Sequence, residues 1–563
     1  MDNLKITTTI RVNGNEHVLS DQNNRWFTLD LKNDRHELKA VIDPVIPFEL
    51  VDFRIECDYA FMPGDKFFSA GYQSWTTADE FTRGDIQRGA MAGFSKKLVH
   101  LSGISADDEI FGAYPRKRGL FHSITYTYIR SGDKLDLYGS MSEREGFTII
   151  EADMNKGRLV FRRDTKGVFL VDKPYTALNI GIFSGGYDEV FDAWFKEMGI
   201  PKPRIDHMAG YTSWYNYYQK IDQNIILRDL NGLDRVRSDT DIFQVDDGFE
   251  SYVGDWLDHC DKFPDGMGYI AEKIHAKGYK AGIWLAPFNV QIKSRTYKEH
   301  PEWVIRDENG KPVLGCVGWG GAYTLDIYKP GVREHIRHFF DVILNEWGFD
   351  MVKLDFLYSE CHLPRNGKSR GTIMCEAVDF LRECCGDKLI LGCGLPIGAS
   401  FGKVDACRIS CDEDLKFGGK FYNKIHVNNE VPSVRNAINN AVLRRHLNGR
   451  AFCSDPDVFY LRDTNLDFTW DQKVLLAKIN NMFGDVLFVS DNVGDYSEKA
   501  VAVLREMFRK HDYKIVSAEY VSRDVISVLH DTDNARMEFK FDVETGEVLN
   551  NGAVEVFPSN KDR

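Results

Sequence analysis

The chain has 563 residues, 28% charged and 43% hydrophobic, a balance that describes a folded globular protein and argues against a disordered one. Its net charge of −14 argues against a nucleic-acid partner, because phosphate binding needs a basic face and no Lys/Arg cluster here is long. The length predicts two or three domains, with an α/β barrel able to occupy about 250 residues alone.

The first residues lack the basic segment and apolar run that export requires, and no later run reaches the roughly 18 apolar residues of a membrane span, so the expected location is the cytoplasm, with no membrane partner. The 11 cysteines are odd in number, include the neighbours Cys384 and Cys385, and show no zinc-site spacing. They read as reduced thiols, with no metal site.

Residues 1–186 carry short alternating runs rich in aromatic and β-branched residues, such as 35–42, 123–129 and 158–161, and predict an N-terminal β-sandwich. Residues 187–206 open with apolar positions three and four apart and predict a linker helix. From 207 to 510 the texture alternates between β and α. Predicted strands are 210–214, 241–246, 281–286, 351–356, 389–393, 408–412, 451–455 and 486–490, with helical spacing between them at 269–277, 332–347 and 374–383. That alternation, without a Gly-x-Gly-x-x-Gly turn after the first strand, predicts a closed (β/α)8 barrel rather than an open doubly wound sheet. Residues 511–563 return to short strands (524–529, 537–541), a small C-terminal β domain.

Acids stand where barrel strands end, the face on which barrel enzymes place their chemistry. Asp355 closes 351–356 and Asp412 closes 408–412, so two carboxylates from separate strands can converge on one bond, the layout of a glycosidase. Lys353 shares a face with Asp355 by strand alternation and is expected to lower its pKa and keep it ionised, as a nucleophile requires. Arg408, Ser410 and Asp412 are placed on one face by the same alternation. Asp412 is the expected proton donor, kept protonated by closeness to a second carboxylate, and Asp414 competes for that role. Structural readings stand beside these: a Lys353–Asp355 salt bridge within the barrel, and helix N-caps at Asp412, Asp414 or Asp455-Pro-Asp457. Asp246, Asp247, Lys353 and Arg408 offer charge-assisted hydrogen bonds to hydroxyls, and Trp75, Trp214, Tyr215 and Trp284 offer apolar faces to sugar rings, although a lone Trp also suits a core. Cys393 edges a small pocket or is simply a buried thiol.

Gly71-Tyr-Gln-Ser-Trp75, Ser213-Trp-Tyr215, Gln244-Val-Asp-Asp-Gly248, Gly282-Ile-Trp-Leu-Ala-Pro287, Lys353-Leu-Asp-Phe356, Gly392-Cys-Gly394 and Arg408-Ile-Ser-Cys-Asp412 follow one another in the order of glycoside hydrolase family 36. Across roughly residues 60 to 495 the chain resembles an α-galactosidase of that family, of the compact bacterial type. The resemblance implies an N-terminal β-supersandwich, a (β/α)8 TIM barrel, a small C-terminal β domain, and retaining hydrolysis of terminal α-galactosides without metal or organic cofactor. It implies Asp355 as nucleophile and Asp412 as acid/base. Asp246 and Asp247 then grip the 4- and 6-hydroxyls, Lys353 and Arg408 are basic contacts, Trp75, Trp214, Tyr215 and Trp284 are aromatic walls, and Cys393 lines the pocket. Trp75 is expected to reach the barrel from the N-terminal domain.

Two departures stand out. Gly392-Cys-Gly-Leu-Pro-Ile-Gly398 replaces the Cys-Ser-Gly-Gly-Gly-Gly of longer tetrameric members, so a monomer or small homo-oligomer is expected. Cys411-Asp-Glu-Asp414 replaces the usual Asp-Thr-Ala-Pro segment, so the aglycone side is expected to be unusual. The rival functions are an α-N-acetylgalactosaminidase, an α-galactosyl transglycosylase and a non-catalytic sugar-binding protein. The long connection across 291–325, with Trp303 and Trp319, is a candidate lid.

Overall fold

In Glu37–Pro44 the residues Leu38, Ala40, Ile42 and Pro44 are buried while their neighbours face outward, the period-two pattern of a strand with one face on a core. The same arithmetic builds the whole N-terminal region. The computed structural model describes residues 1–89, 108–112, 114–421 and 432–554. Its N-terminal residues form two seven-stranded antiparallel sheets, one built around Phe48–Asp58 and the other around Tyr175–Gly185. Phe27, Phe48, Phe53, Ile55, Phe161 and Ile180 pack between them.

The helix Tyr187–Glu197 follows, burying Val190, Phe191, Trp194 and Phe195 on one side, and leads into the barrel. The barrel strands are β1 (Met208–Thr212), β2 (Ile242–Val245), β3 (Lys280–Leu285), β4 (Met351–Leu354), β5 (Leu389–Gly392), β6 (Ala406–Arg408), β7 (Cys453–Asp455) and β8 (Val486–Val489). They pair in parallel, and nearly every residue is buried on both faces, as helices covering a parallel sheet require. The fold is a TIM-type barrel with β domains at either end.

Closure is made at the seventh strand. Cys453–Asp455 pairs with β6, whereas Val458–Phe459 pairs with β8 on the other side. The break between the two halves is Pro456-Asp457, where Asp457 has φ 84°. Proline removes a ladder donor and the left-handed residue turns the chain, so one strand serves both neighbours in sequence.

Several strands are shorter than their sequence patterns. β1 stops at Thr212 and Trp214 begins the short helix Trp214–Tyr217. β6 stops at Arg408, four residues before Asp412, so the face-sharing predicted for Arg408, Ser410 and Asp412 does not hold. Side-chain oxygens fix the barrel helices' starts: Ser369, Ser433, Thr469 and Ser497 each accept from a backbone N–H of the first turn, a cap worth about 1 kcal/mol. The connection from β3 to β4 contains a three-stranded antiparallel sheet of Asn289–Gln291, Ala322–Thr324 and Leu314–Cys316. After the barrel, four antiparallel strands from Lys514–Tyr520 to Val548–Ala553 complete the described chain. No described helix is long and apolar enough to cross a membrane.

Candidate active site

Asp246 and Asp247 stand immediately after β2. Asp246 Oδ2 accepts from Lys353 Nζ at 2.8 Å, Gln244 Nε2 at 2.8 Å and Thr212 Oγ1 at 3.3 Å, so side chains of β1, β2 and β4 meet on one carboxylate. Burial alone would raise the Asp246 carboxyl, but the Lys353 ammonium and these donors hold it below the usual carboxylate range. Lys353 therefore pairs with Asp246 and not, as the strand pattern implied, with Asp355.

Asp247 is served differently. Its Oδ2 accepts from Trp319 Nε1 at 2.9 Å and its two oxygens accept from Gln219 Nε2 at 3.0 and 3.1 Å. Burial pushes the neighbouring Glu250 carboxyl well up, with the negative charge of Asp247 adding to it, so Glu250 keeps its proton and donates it to Asp247.

Asp355 follows β4. Its Oδ2 accepts from Trp284 Nε1 at 3.0 Å and its Oδ1 from the Phe356 backbone N–H at 2.8 Å, which fixes the plane of the carboxyl. Burial pushes it up, and the nearby Lys353 charge and the Trp284 indole offset that only in part. The net shift is thus opposite to the lowering expected from Lys353 alone, because a fully enclosed carboxylate loses more hydration than one shared cation restores. Phe356, at φ 55°, turns the chain sharply after this acid.

Asp412 is the more exposed acid. Its side chain is 42% exposed, and its Oδ1 accepts from Arg408 Nη1 at 2.9 Å. Arg408 itself is 2% exposed and also reaches Asp457 Oδ1 at 2.9 Å and Asp455 Oδ2 at 3.5 Å. Asp457 further accepts from the Tyr215 hydroxyl and from the Glu413 backbone N–H at 3.0 Å. Burial raises both Asp457 and Glu413. Neither carboxyl oxygen of Glu413 has a hydrogen-bond partner, so Glu413 is the member of the pair that retains the proton. Asp414 lies outside this network, 3.4 Å from Lys420.

The aromatic residues divide by depth. Trp284 and Tyr215 are each 2% exposed and act through their polar tips on Asp355 and Asp457. Trp75 arrives from the N-terminal domain, half-buried, with its Nε1 3.4 Å from Cys393 Sγ and its ring edge-on to Phe356 and Tyr358. Burial pushes the Cys393 thiol well up, so it stays neutral beside Asp355. Trp214 lies further out, edge-on to the exposed Tyr218 at 5.1 Å. The backbone of Gly394 is at φ 55°, and a Cβ there would lie 3.2 Å from both Phe356 and Trp75, so glycine is what lets these walls close.

Sequence reasoning did not assign Gln219, Glu250, Glu413 or Asp457 to this site, and named Trp319 only as part of a candidate lid. The Asp455-Pro-Asp457 break was a usable signal for Asp457, whereas Gln219 and Trp319 come from loops whose path no periodicity records. Trp319 is held at φ 55° between glycines, its ring against Trp284 and Phe356, so the 291–325 connection is a built wall of the pocket.

The family model described as Melibiase matches residues 214–372, the stretch that holds Trp214, Tyr215, Asp246, Asp247, Trp284, Lys353 and Asp355. This part of the barrel is similar to the melibiase family. Among curated relatives, α-galactosidase Mel36A of Lactobacillus acidophilus is 32% identical over 122 residues, which cover 20% of this chain and 16% of that protein. The A type blood α-D-galactosamine galactosaminidase of Flavonifractor plautii is 32% identical over 130 residues, 21% of this chain and 12% of its own. The aligned segments thus span less than a fifth of either relative. In three dimensions the α-galactosidase TtGalA of Thermus thermophilus superposes with a TM-score of 0.70 at 23% identity, over 93% of this chain and 97% of that one. The barrel and both flanking β regions therefore share one fold with that protein.

Proposed function

We propose that the chain is a retaining, exo-acting α-galactosidase that removes terminal α-D-galactosyl residues from oligosaccharides by double displacement. The observation that carries the reading is the contrast between two acids at one pocket: Asp355 enclosed and fixed by the Trp284 indole, and Asp412 half-exposed on Arg408. A nucleophile must be held still against the anomeric carbon, whereas an acid/base must reach the leaving group and then a water.

In the first step an Asp355 oxygen forms a bond to the anomeric carbon while the glycosidic oxygen leaves with the proton of Asp412. In the second, water gives a proton to Asp412 as it attacks the same carbon, and Asp355 departs as carboxylate. Asp246 and Asp247, both buried and held by fixed donors, accept from sugar hydroxyls, and Trp75, Trp284 and Trp319 enclose the ring. Tyr215 and Asp457 hold Arg408, and through it Asp412, in place. Retention requires the two carboxyl groups about 5–5.5 Å apart. TtGalA has been captured with p-nitrophenyl α-D-galactopyranoside and with stachyose, which supports a galactoside substrate. No disulfide links the described cysteines, which supports a reducing compartment.

The test is hydrolysis of p-nitrophenyl α-D-galactoside beside the matching α-N-acetylgalactosaminide, with the first-formed anomer followed by NMR and Asp355→Asn and Asp412→Asn as controls. Release of α-galactose by the wild type alone is expected. Preference for the N-acetyl substrate would move the function toward that of the Flavonifractor relative, and galactosyl transfer outrunning hydrolysis would make the protein a transglycosylase.

A further inference from the structure

Arg444, at the C-terminal end of the helix Val434–Leu443, is wholly buried and lies outside the acid network. Its Nη1 donates to the carbonyls of Ser74 at 2.6 Å and Ile409 at 2.7 Å, and its Nη2 donates to those of Ala70, Gln73 at 3.3 Å and Thr76 at 2.7 Å. Four of these carbonyls belong to the N-terminal domain's turn that carries Trp75. The fifth belongs to the residue after Arg408. One turn earlier, Asn440 repeats the bridge: its Nδ2 donates to Thr76 O at 3.1 Å and Ile409 O at 3.0 Å.

We infer that Arg444, seconded by Asn440, is a positioning residue that registers the Trp75 turn of the N-terminal domain against the barrel segment bearing Arg408 and Asp412. A guanidinium has five donors in a fixed plane, so it can hold carbonyls of two separate segments in one geometry where a lysine cannot. The carbonyls on either side of Trp75, those of Ser74 and Thr76, are both tied, which leaves the ring little freedom. The turn itself is tight: Gly71 is at φ 69°, and a Cβ there would fall 2.4 Å from the Thr76 methyl. Two further ties of the turn run to β5's loop, from Ser74 N to Leu395 O at 3.0 Å and from Ile397 N to Tyr72 O at 2.9 Å. They hold the turn against the nucleophile side of the pocket, while Arg444 and Asn440 tie it to the acid/base side. The inference rests on the reading of this pocket as a sugar site for its catalytic consequence, but its structural content is independent of that reading.

Cys393 gives a measurement that does not need activity, because the Trp75 indole covers its sulfur. Alkylation of each cysteine by N-ethylmaleimide is followed by peptide mass spectrometry in wild type, Arg444→Lys, Asn440→Ser and Trp75→Ala. Cys393 is expected to react at least about tenfold faster in Arg444→Lys, equivalent to about 1.4 kcal/mol of easier local opening, with the buried Cys57 and Cys385 unchanged. Asn440→Ser gives the same pattern in smaller degree and stands in if Arg444→Lys does not fold. For turnover of p-nitrophenyl α-D-galactoside, KM is expected to rise in Arg444→Lys, and that rise to shrink in the Trp75→Ala background. Cys393 as protected as in wild type, or all three cysteines rising together, would overturn the inference. Absence of turnover in the wild type would overturn only the galactosidase reading and leave the alkylation result to decide this one.

Discussion

Lys353 Nζ lies 2.8 Å from Asp246 Oδ2, a buried ion pair that crosses from β4 to β2 beneath the pocket and leaves Asp355 to be held by an indole. A pair so enclosed costs heavily when broken, because either survivor is a bare charge. Lys353→Met is therefore expected to destabilise the fold by about 3–5 kcal/mol, and the double variant Lys353→Met/Asp246→Asn to recover much of that loss. Urea denaturation of the wild type, Lys353→Met, Asp246→Asn and the double variant measures it. Strictly additive losses would mean the pair is not coupled.

Trp319→Phe keeps a ring against Trp284 and Phe356 but removes the donor to Asp247. KM is expected to rise about tenfold, since a hydrogen bond to a charged group is worth about 1.5–3 kcal/mol, with little change in thermal stability. Unchanged KM would show that Gln219 and Glu250 hold Asp247 unaided.

The protonated Glu413 gives a pH prediction whose sign follows from burial. Its folded-state pKa is raised above the unfolded value, so the associated stability is present below the ordinary carboxyl range and is lost as pH rises through the raised value. Ionisation would place a further negative charge among Asp412, Asp455 and Asp457, which already share Arg408. Glu413→Gln cannot ionise. Its Tm relative to wild type is expected to climb with increasing pH, whereas a constant difference would show that the fold does not raise the Glu413 pKa.

Removing the acid should matter in proportion to the need for it. Asp412→Asn is expected to lower kcat on an alkyl galactoside by about 10²–10⁴-fold and to affect an activated aryl galactoside much less in the galactosylation step, since a phenolate leaves without a proton. Equal loss on both substrates would assign Asp412 a binding role instead.

Much of this architecture could be read from the chain because strand periodicity and the strand-end acids are local signals. The sandwich, the barrel and the positions of Asp246, Asp247 and Asp355 at strand ends all follow from runs of a few residues. The local pattern failed where tertiary contacts decide. Lys353 and Asp355 do share a strand, yet the ammonium is long enough to reach Asp246 on another one. Ile-Ser-Cys-Asp looks like a continuing strand, yet β6 ends at Arg408, where Arg444 and Asn440 take over the Ile409 carbonyl. Trp319 and Gln219 enter through loops, and the proton on Glu413 depends on four carboxyl groups meeting one guanidinium, which no single segment encodes.

The most direct test of the account is chemical rescue of Asp355→Gly with azide on an activated aryl α-galactoside. Azide would occupy the space of the missing carboxylate and attack from the same face, so the account predicts restored turnover and β-galactosyl azide as product. No rescue, or an α-configured azide, would contradict Asp355 as the nucleophile of a retaining enzyme.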